Sequence, residues 1–188
     1  VASGDYLGSD QLLRAADMAM YRAKAEGRGR YWFFEPEFDR LVQERRNLEV
    51  ALRAAVNQDA LDIHYQPLVN LETGRISGFE ALSRWEDAQR GVVPPSTFIP
   101  LAEEIGLIGV IGERVLKRAC VEAVNWPEHL TVAVNLSPAQ FKGGELVASV
   151  KAALAASGLP SNRLELEITE AIFLHDSESN CALLGQLG

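Results

Sequence analysis

The chain has 188 residues, enough for one ordinary domain or parts of two, and its 47% hydrophobic and 23% charged content is that of a folded globular protein. A formal net charge of −8 argues against binding a nucleic-acid polymer, which needs a basic face, but leaves room for a small anion held by a few local cations. No apolar run nears the ~20 residues of a membrane span, so no membrane contact is expected from this segment, and Cys120 and Cys181, set in apolar helical patterns, read as buried thiols in a reducing, cytoplasmic setting.

Ser9 or Asp10 can cap a first helix carried by Leu12, Leu13, Ala16, Met20 and Ala23 and ending at Gly27. Lys24, Arg28 and Arg30 suit the C-terminal end of that helix through its dipole; a phosphate site is the sharper alternative. Residues 31–34, Tyr-Trp-Phe-Phe, read as a strand that Pro36 stops. A second helix is expected over 37–57, with Leu41, Leu48, Ala51, Leu52, Ala55 and Val56 as its apolar stripe. Glu44, Arg45, Arg46, Glu49 and Arg53 crowd its other side as a solvated, self-pairing surface.

A strand over 61–69 follows, and the turn Glu72-Thr73-Gly74-Arg75 leads directly into the next strand. A turn that short makes the pair an antiparallel hairpin, because parallel strands need a long crossover. In the second strand alternation puts Phe79, Ala81 and Ser83 on one face and Glu80, Leu82 and Arg84 on the other. Charges inside a strand fit for a core must pair or meet a metal or ligand. Glu80 and Arg84 therefore either pair with each other at a strand end or belong to a site. On the first strand His64 reads as an ordinary strand histidine, and Gln66, before Pro67, as a candidate base or ribose reader.

Pro94-Pro95-Ser96 opens a helix through Phe98, Ile99, Leu101 and Ala102 to about Gly106, and a longer one is expected over 107–126. Thr131-Val132-Ala133-Val134-Asn135-Leu136 is a β-branched strand, after which Ser137-Pro138 opens a helix to Gly158, broken near its start by Gly143-Gly144. An alternating strand over 163–170 sets Glu165, Glu167 and Thr169 on one face, and a last helix begins at Ala182. Strands joined by long helical crossovers argue for parallel β/α units, whose sites assemble at the carboxyl ends of the strands. Glu80, Asn135 and Glu167 lie within or at the ends of three such strands. Converging there, two carboxylates and an amide oxygen would suit magnesium or manganese rather than zinc. Taken singly, Glu167 can be a solvated strand face and Asn135 a cap on the following helix.

Two resemblances extend this reading. Ala16-Asp17-Met18-Ala19-Met20-Tyr21-Arg22-Ala23-Lys24-Ala25-Glu26-Gly27-Arg28-Gly29-Arg30 resembles the closing helix and last strand of a GGDEF (diguanylate cyclase) domain. There Lys24 and Arg28 would touch GTP phosphates, but the signature turn, nucleotide loop and metal carboxylates are not in this chain, so no catalytic role is carried over. Glu80-Ala81-Leu82 with Arg84-Trp85 is similar to the signature of the EAL domain family. Tyr65-Gln66-Pro67, Phe98-Ile99-Pro100-Leu101-Ala102-Glu103, Asn135-Leu136-Ser137 and Glu167-Ile168-Thr169-Glu170 are similar to its further motifs, in order.

The resemblance implies an α/β fold, a partial TIM-type β/α barrel with an antiparallel first strand. Residues 1–36 are then a helix-strand remnant of the GGDEF domain, 37–57 a linker helix and 58–188 the N-terminal half of the EAL domain. It implies a phosphodiesterase, dependent on Mg2+ or Mn2+, that opens cyclic di-GMP to linear pGpG. Glu80, Asn135 and Glu167 would be metal ligands, Glu80 and Glu170 the catalytic acids, with Glu170 fixing a later loop. Gln66, Leu82 and Arg84 would line the dinucleotide. Ser83 stands where the family often has leucine, on the face turned away from these residues. The family's later paired aspartates, lysine, glutamate and glutamine do not occur in these 188 residues, so a longer parent, which other segments could anchor to a membrane, is expected, and the chain alone is expected to be inactive. By the same resemblance a second copy of the chain is an expected partner. The alternative is a non-catalytic module that binds cyclic di-GMP or a protein.

Overall fold

The computed structural model describes residues 13, 16, 17, 19, 20, 24, 36–141, 145–168 and 183–186. The strand expected over 31–34, Arg28, Glu170 and Cys181 lie outside the described residues. The chain divides into two compact units, Val1–Val50 and Ala51–Gly188. In the first, Leu13, Ala16, Asp17, Ala19, Met20 and Lys24 are helical, as the spacing predicts. The helix α1 (Pro36–Asn57) then begins, with the i,i+4 ion pairs Arg40–Glu44 at 2.7 Å and Arg45–Glu49 at 3.7 Å. Both pairs are solvent-exposed and contribute only tenths of a kcal/mol each, which is the self-pairing surface read from the sequence.

The second unit starts with the last turns of α1, where Leu52, Ala55 and Val56 are buried. Strands β1 (Leu61–Val69) and β2 (Ile76–Asp87) form the expected antiparallel hairpin. Its turn is set by Asn70, whose Oδ1 accepts from the Glu72 and Thr73 amides at 3.0 and 2.9 Å, while Gly74 takes the left-handed conformation at φ +65°. A short strand that the sequence did not suggest, β3 (Gly91–Val93), folds back antiparallel on β2.

Helices α2 (Pro95–Glu104) and α3 (Ile108–Ala123) follow, then β4 (Thr131–Leu136), parallel to β2. The helix expected to run to Gly158 with a break at Gly143-Gly144 is seen as α4 (Pro138–Phe141) and α5 (Leu146–Ser157), on either side of that break. A 3-10 turn (Ser161–Arg163) leads into β5 (Leu164–Ile168), parallel to β4. Together these strands make a five-stranded mixed sheet in the order β1-β2-β4-β5, with β3 on β2.

The sheet has two unlike faces. Ala81, Trp85, Val132, Val134 and Leu136 are buried beneath the helices, and Trp85 meets Phe98 of α2 edge-to-face with ring centroids 5.9 Å apart. The opposite face carries Gln66, Glu80, Asn135 and Glu167. Helix α3 ends at Ala123, earlier than the periodicity predicts, because Asn125 and Trp126 bond back to Glu122 and Ala123 in tighter turns at 3.0 and 3.1 Å. Trp126 then packs against Tyr65 and Phe79, with ring centroids at 5.2 and 4.9 Å.

Candidate functional site

Strand register builds the site. Gln66 on β1 stands opposite Glu80 on β2, and Asn135 on β4 stands opposite Glu167 on β5. Glu80 itself is opposite Ala133, two residues before Asn135, so Glu80 and Asn135 are diagonal neighbours on one face. Asn135 Nδ2 donates to Glu80 Oε1 across 2.6 Å. Asn135 therefore does not cap α4. That role falls to Ser137, whose Oγ accepts from the Ala139 amide at 3.2 Å.

Glu167 shares this environment. Burial, and then the negative charges of Glu80 and Glu165, push its carboxyl above the ordinary glutamate value. A carboxyl raised by burial and by two neighbouring acids is one whose charged form a cation would stabilise. The donor set suits a hard divalent cation: Glu80 and Glu167 offer carboxylate oxygens, and Asn135, while its Nδ2 bonds Glu80, keeps Oδ1 free of any hydrogen bond among the described residues. Among the described residues no group of three or more His, Cys, Asp and Glu could hold a metal, so the fit rests on two acids and an amide.

Leu82 and Arg84 continue the same face of β2 toward its carboxyl end; with Asn135 they edge a cavity of about 310 Å³ that is lined mostly from the helix side, by Ile99, Ile111, Gly112 and Val115 among others, and that neither Glu80 nor Glu167 lines. Arg84 does not pair with Glu80. Its guanidinium donates to the carbonyl of the preceding residue, Ser83, at 3.0 Å, and it forms no ion pair among the described residues. The reading of these two charges as a strand-end pair therefore gives way to separate roles. His64, opposite Leu82, is exposed and makes no hydrogen bond among the described residues. Glu170 lies outside the described residues.

In the sequence Glu103 stands out only as part of a motif, Ser137 as part of a motif and as a helix opening, and Gln140 not at all. Ser137 Oγ donates to Glu103 Oε1 at 2.5 Å, and the Ser137 amide donates to Gln140 Oε1 at 2.9 Å. The available signal was the spacing Ser137-Pro138-Ala139-Gln140, a capping box, in which Ser and Gln reciprocally satisfy the first amides of a helix.

The EAL domain family matches residues 49–188. Among curated relatives, the uncharacterised protein y4lL of Sinorhizobium fredii is 46% identical over 95% of this chain and 22% of its own length. The bifunctional diguanylate cyclase/cyclic di-GMP phosphodiesterase MucR of Pseudomonas aeruginosa is 42% identical over 98% of this chain and 27% of its own. The chain thus spans about a quarter of the length of these relatives. Among solved structures, the PaMucR phosphodiesterase in complex with c-di-GMP superposes with a TM-score of 0.71 at 41% identity, covering 75% of this chain and 59% of that one. With the family matched over most of its length and a mixed α/β fold like that of the solved members, the chain belongs to the EAL domain family.

Proposed function

We propose that this chain forms part of a metal-dependent phosphodiesterase that hydrolyses cyclic di-GMP to linear pGpG. The observation that carries the reading is the meeting of Glu80, Asn135 and Glu167 on one sheet face, with Asn135 bonded to Glu80 and the Glu167 carboxyl raised by burial and by the charges of Glu80 and Glu165. Those three residues would hold a Mg2+ or Mn2+ ion. Such an ion, when bound, polarises a phosphoryl oxygen and lowers the pKa of water.

The chain's own residues do the rest. Arg84, free of any acid partner among the described residues, can turn its forked donors on a phosphate. Leu82, half-buried on the same face, offers an apolar surface to a base, and Gln66 a side-chain amide to a base or ribose. Glu170 is proposed as the acid that orders a later loop. The same reading makes the sheet part of a TIM-type barrel and residues 1–36 the end of a GGDEF domain. The match to MucR along nearly the whole chain supports the latter.

The test is direct. The polypeptide that carries this chain, supplied with cyclic di-GMP and Mg2+ or Mn2+, should release pGpG and stop when the metal is chelated. Tight binding of cyclic di-GMP with no turnover in either metal would replace the enzyme by a binding module.

A further inference from the structure

We propose that Glu103, Ser137 and Gln140 form a latch that positions Asn135, so that Glu103 and Ser137 are positioning residues for the metal ligand though they are not ligands themselves. The proposal rests on the phosphodiesterase reading for its purpose, but its geometry is independent of it. Asn135 is the last exposed residue of β4, and only Leu136 separates it from Ser137. Ser137 is held on both sides. Its hydroxyl donates to Glu103 at the end of α2, and its amide donates to Gln140 in α4. The same hydroxyl accepts from the Ala139 amide at 3.2 Å, so one serine uses its donor and its acceptor together.

Helix α3 completes the latch by making room. An added Cβ at Gly112 would lie 2.3 Å from Gln140 Nε2 and 2.8 Å from its Cδ, whereas at Gly109, one turn earlier, it would meet nothing within 4 Å. Glycine within a helix costs about 1 kcal/mol relative to alanine. At 112 that cost has a structural return, because the missing side chain lets the Gln140 amide sit against α3 and reach the Ser137 amide. Helices α2, α3 and α4 thus converge on Ser137 and on the peptide unit that joins it to Leu136, next to Asn135. Partners hydrogen-bonded to a metal ligand typically change metal affinity about tenfold to a hundredfold when lost, and Ser137, which reaches Asn135 through the backbone, belongs at the low end of that range.

The experiment uses the 188-residue chain and the variants Glu103→Ala, Ser137→Ala, Ser137→Thr and Gly112→Ala. Three quantities are read from each: the Asn135 side-chain amide resonances by 15N NMR, the Mn2+ dissociation constant by electron paramagnetic resonance, and the thermal midpoint. Glu103→Ala and Ser137→Ala should move the Asn135 side-chain amide toward the shift of an amide without its Glu80 partner and weaken Mn2+ binding about tenfold. Ser137→Thr, which keeps the hydroxyl, should restore both. Gly112→Ala is the decisive variant. It should keep or raise the thermal midpoint, since α3 gains a better helix former, while displacing Gln140 and disturbing Asn135.

If Ser137→Ala fails to fold, Glu103→Ala and Gly112→Ala decide the matter. Asn135 resonances and Mn2+ affinity unchanged in those two would overturn the latch. A wild-type chain that binds no Mn2+ would count against the metal reading alone, and the Asn135 resonances would still judge the latch.

Discussion

Asn135 Nδ2 and Glu80 Oε1 lie 2.6 Å apart, joining β4 to β2 by one side-chain hydrogen bond between residues 55 apart in sequence. The bond satisfies one carboxylate oxygen with a neutral donor, beside a second acid, Glu167, that already feels the Glu80 charge. Asn135→Asp would exchange that donor for a third negative group. In chelator the variant should melt a few degrees below wild type, a loss on the order of 1 kcal/mol. Saturating Mn2+ should return most of it, because a cation turns the repulsion into ligation. Thermal melts with and without Mn2+ check this; equal midpoints for both proteins in both conditions would separate Asn135 from the acids.

The close approach of β2 to β4 depends on a missing side chain. A Cβ on Gly78 would stand 2.4 Å from Thr131 Oγ1 and 2.6 Å from the Thr131 carbonyl oxygen, which as backbone of the paired strand has nowhere to go. Gly78→Ala should therefore cost roughly 2 to 3 kcal/mol in urea unfolding, the range of an overpacked core. Gly109→Ala, with open space around it near the start of α3, should instead stabilise by about 0.5 kcal/mol. The same substitution with opposite signs at two glycines tests the strand register at 78 against helix propensity at 109.

Arg163 is 7% exposed and has no carboxylate partner among the described residues. It donates to four carbonyls, at Ala123 (2.7 Å), Leu130 (2.9 Å), Pro127 (3.3 Å) and Trp126 (3.4 Å), gathering the end of α3 and the approach to β4 onto one guanidinium. The charge is tolerated because those oxygens include the negative end of a helix dipole. Arg163→Met fits the volume but leaves the carbonyls unpaired, so a loss of about 3 kcal/mol is expected in urea unfolding. Arg163→Lys should recover less than half, since an ammonium cannot span four acceptors.

This residue also shows where sequence reading stops. Arg163 read only as the first position of a strand, because its partners are backbone carbonyls 33 to 40 residues away and carry no side-chain signature. The antiparallel β1–β2 pair was legible from a turn too short for any other connection, and the parallel pairs from the helical crossovers between strands. β3 was not, since three residues, Gly91–Val93, are too few to show alternation. In the site, alternation was enough to put Glu80, Leu82 and Arg84 on one face. That Glu80 meets Asn135 and not Arg84 is a consequence of strand register, which hydrophobic pattern alone does not set.

Cys120 is fully buried in α3, and burial pushes its thiol up to about 11. The folded value exceeds that of an unfolded thiol, ~8.5, so folding favours the neutral form. Its contribution to stability is complete below the unfolded value and is lost as pH rises through the folded one. In a Cys181→Ser background, thiol reagents at pH 8 should leave Cys120 unmodified until urea unfolds the chain. Stability should also fall more steeply from pH 9 to 11 than in Cys120→Ala, where nothing titrates at that position. Fast modification of the native protein would show that the thiol is not enclosed.

Arg84 offers the sharpest division between a structural and a functional charge. If it held the strand end by pairing with an acid, removing it would destabilise the chain. Its one hydrogen bond among the described residues goes to the neighbouring Ser83 carbonyl, an interaction that solvent can replace. Arg84→Ala should therefore change unfolding stability by no more than about 0.5 kcal/mol. Binding of cyclic di-GMP, measured by calorimetry in chelator so that no metal-dependent turnover intervenes, should weaken about tenfold to a hundredfold, as expected for losing hydrogen bonds to a charged group. Arg84→Lys should fall between, because a point charge keeps the attraction but not the fork. An Arg84→Ala protein that is markedly less stable yet binds the dinucleotide as well as wild type would return Arg84 to the scaffold and leave the phosphate without its cation.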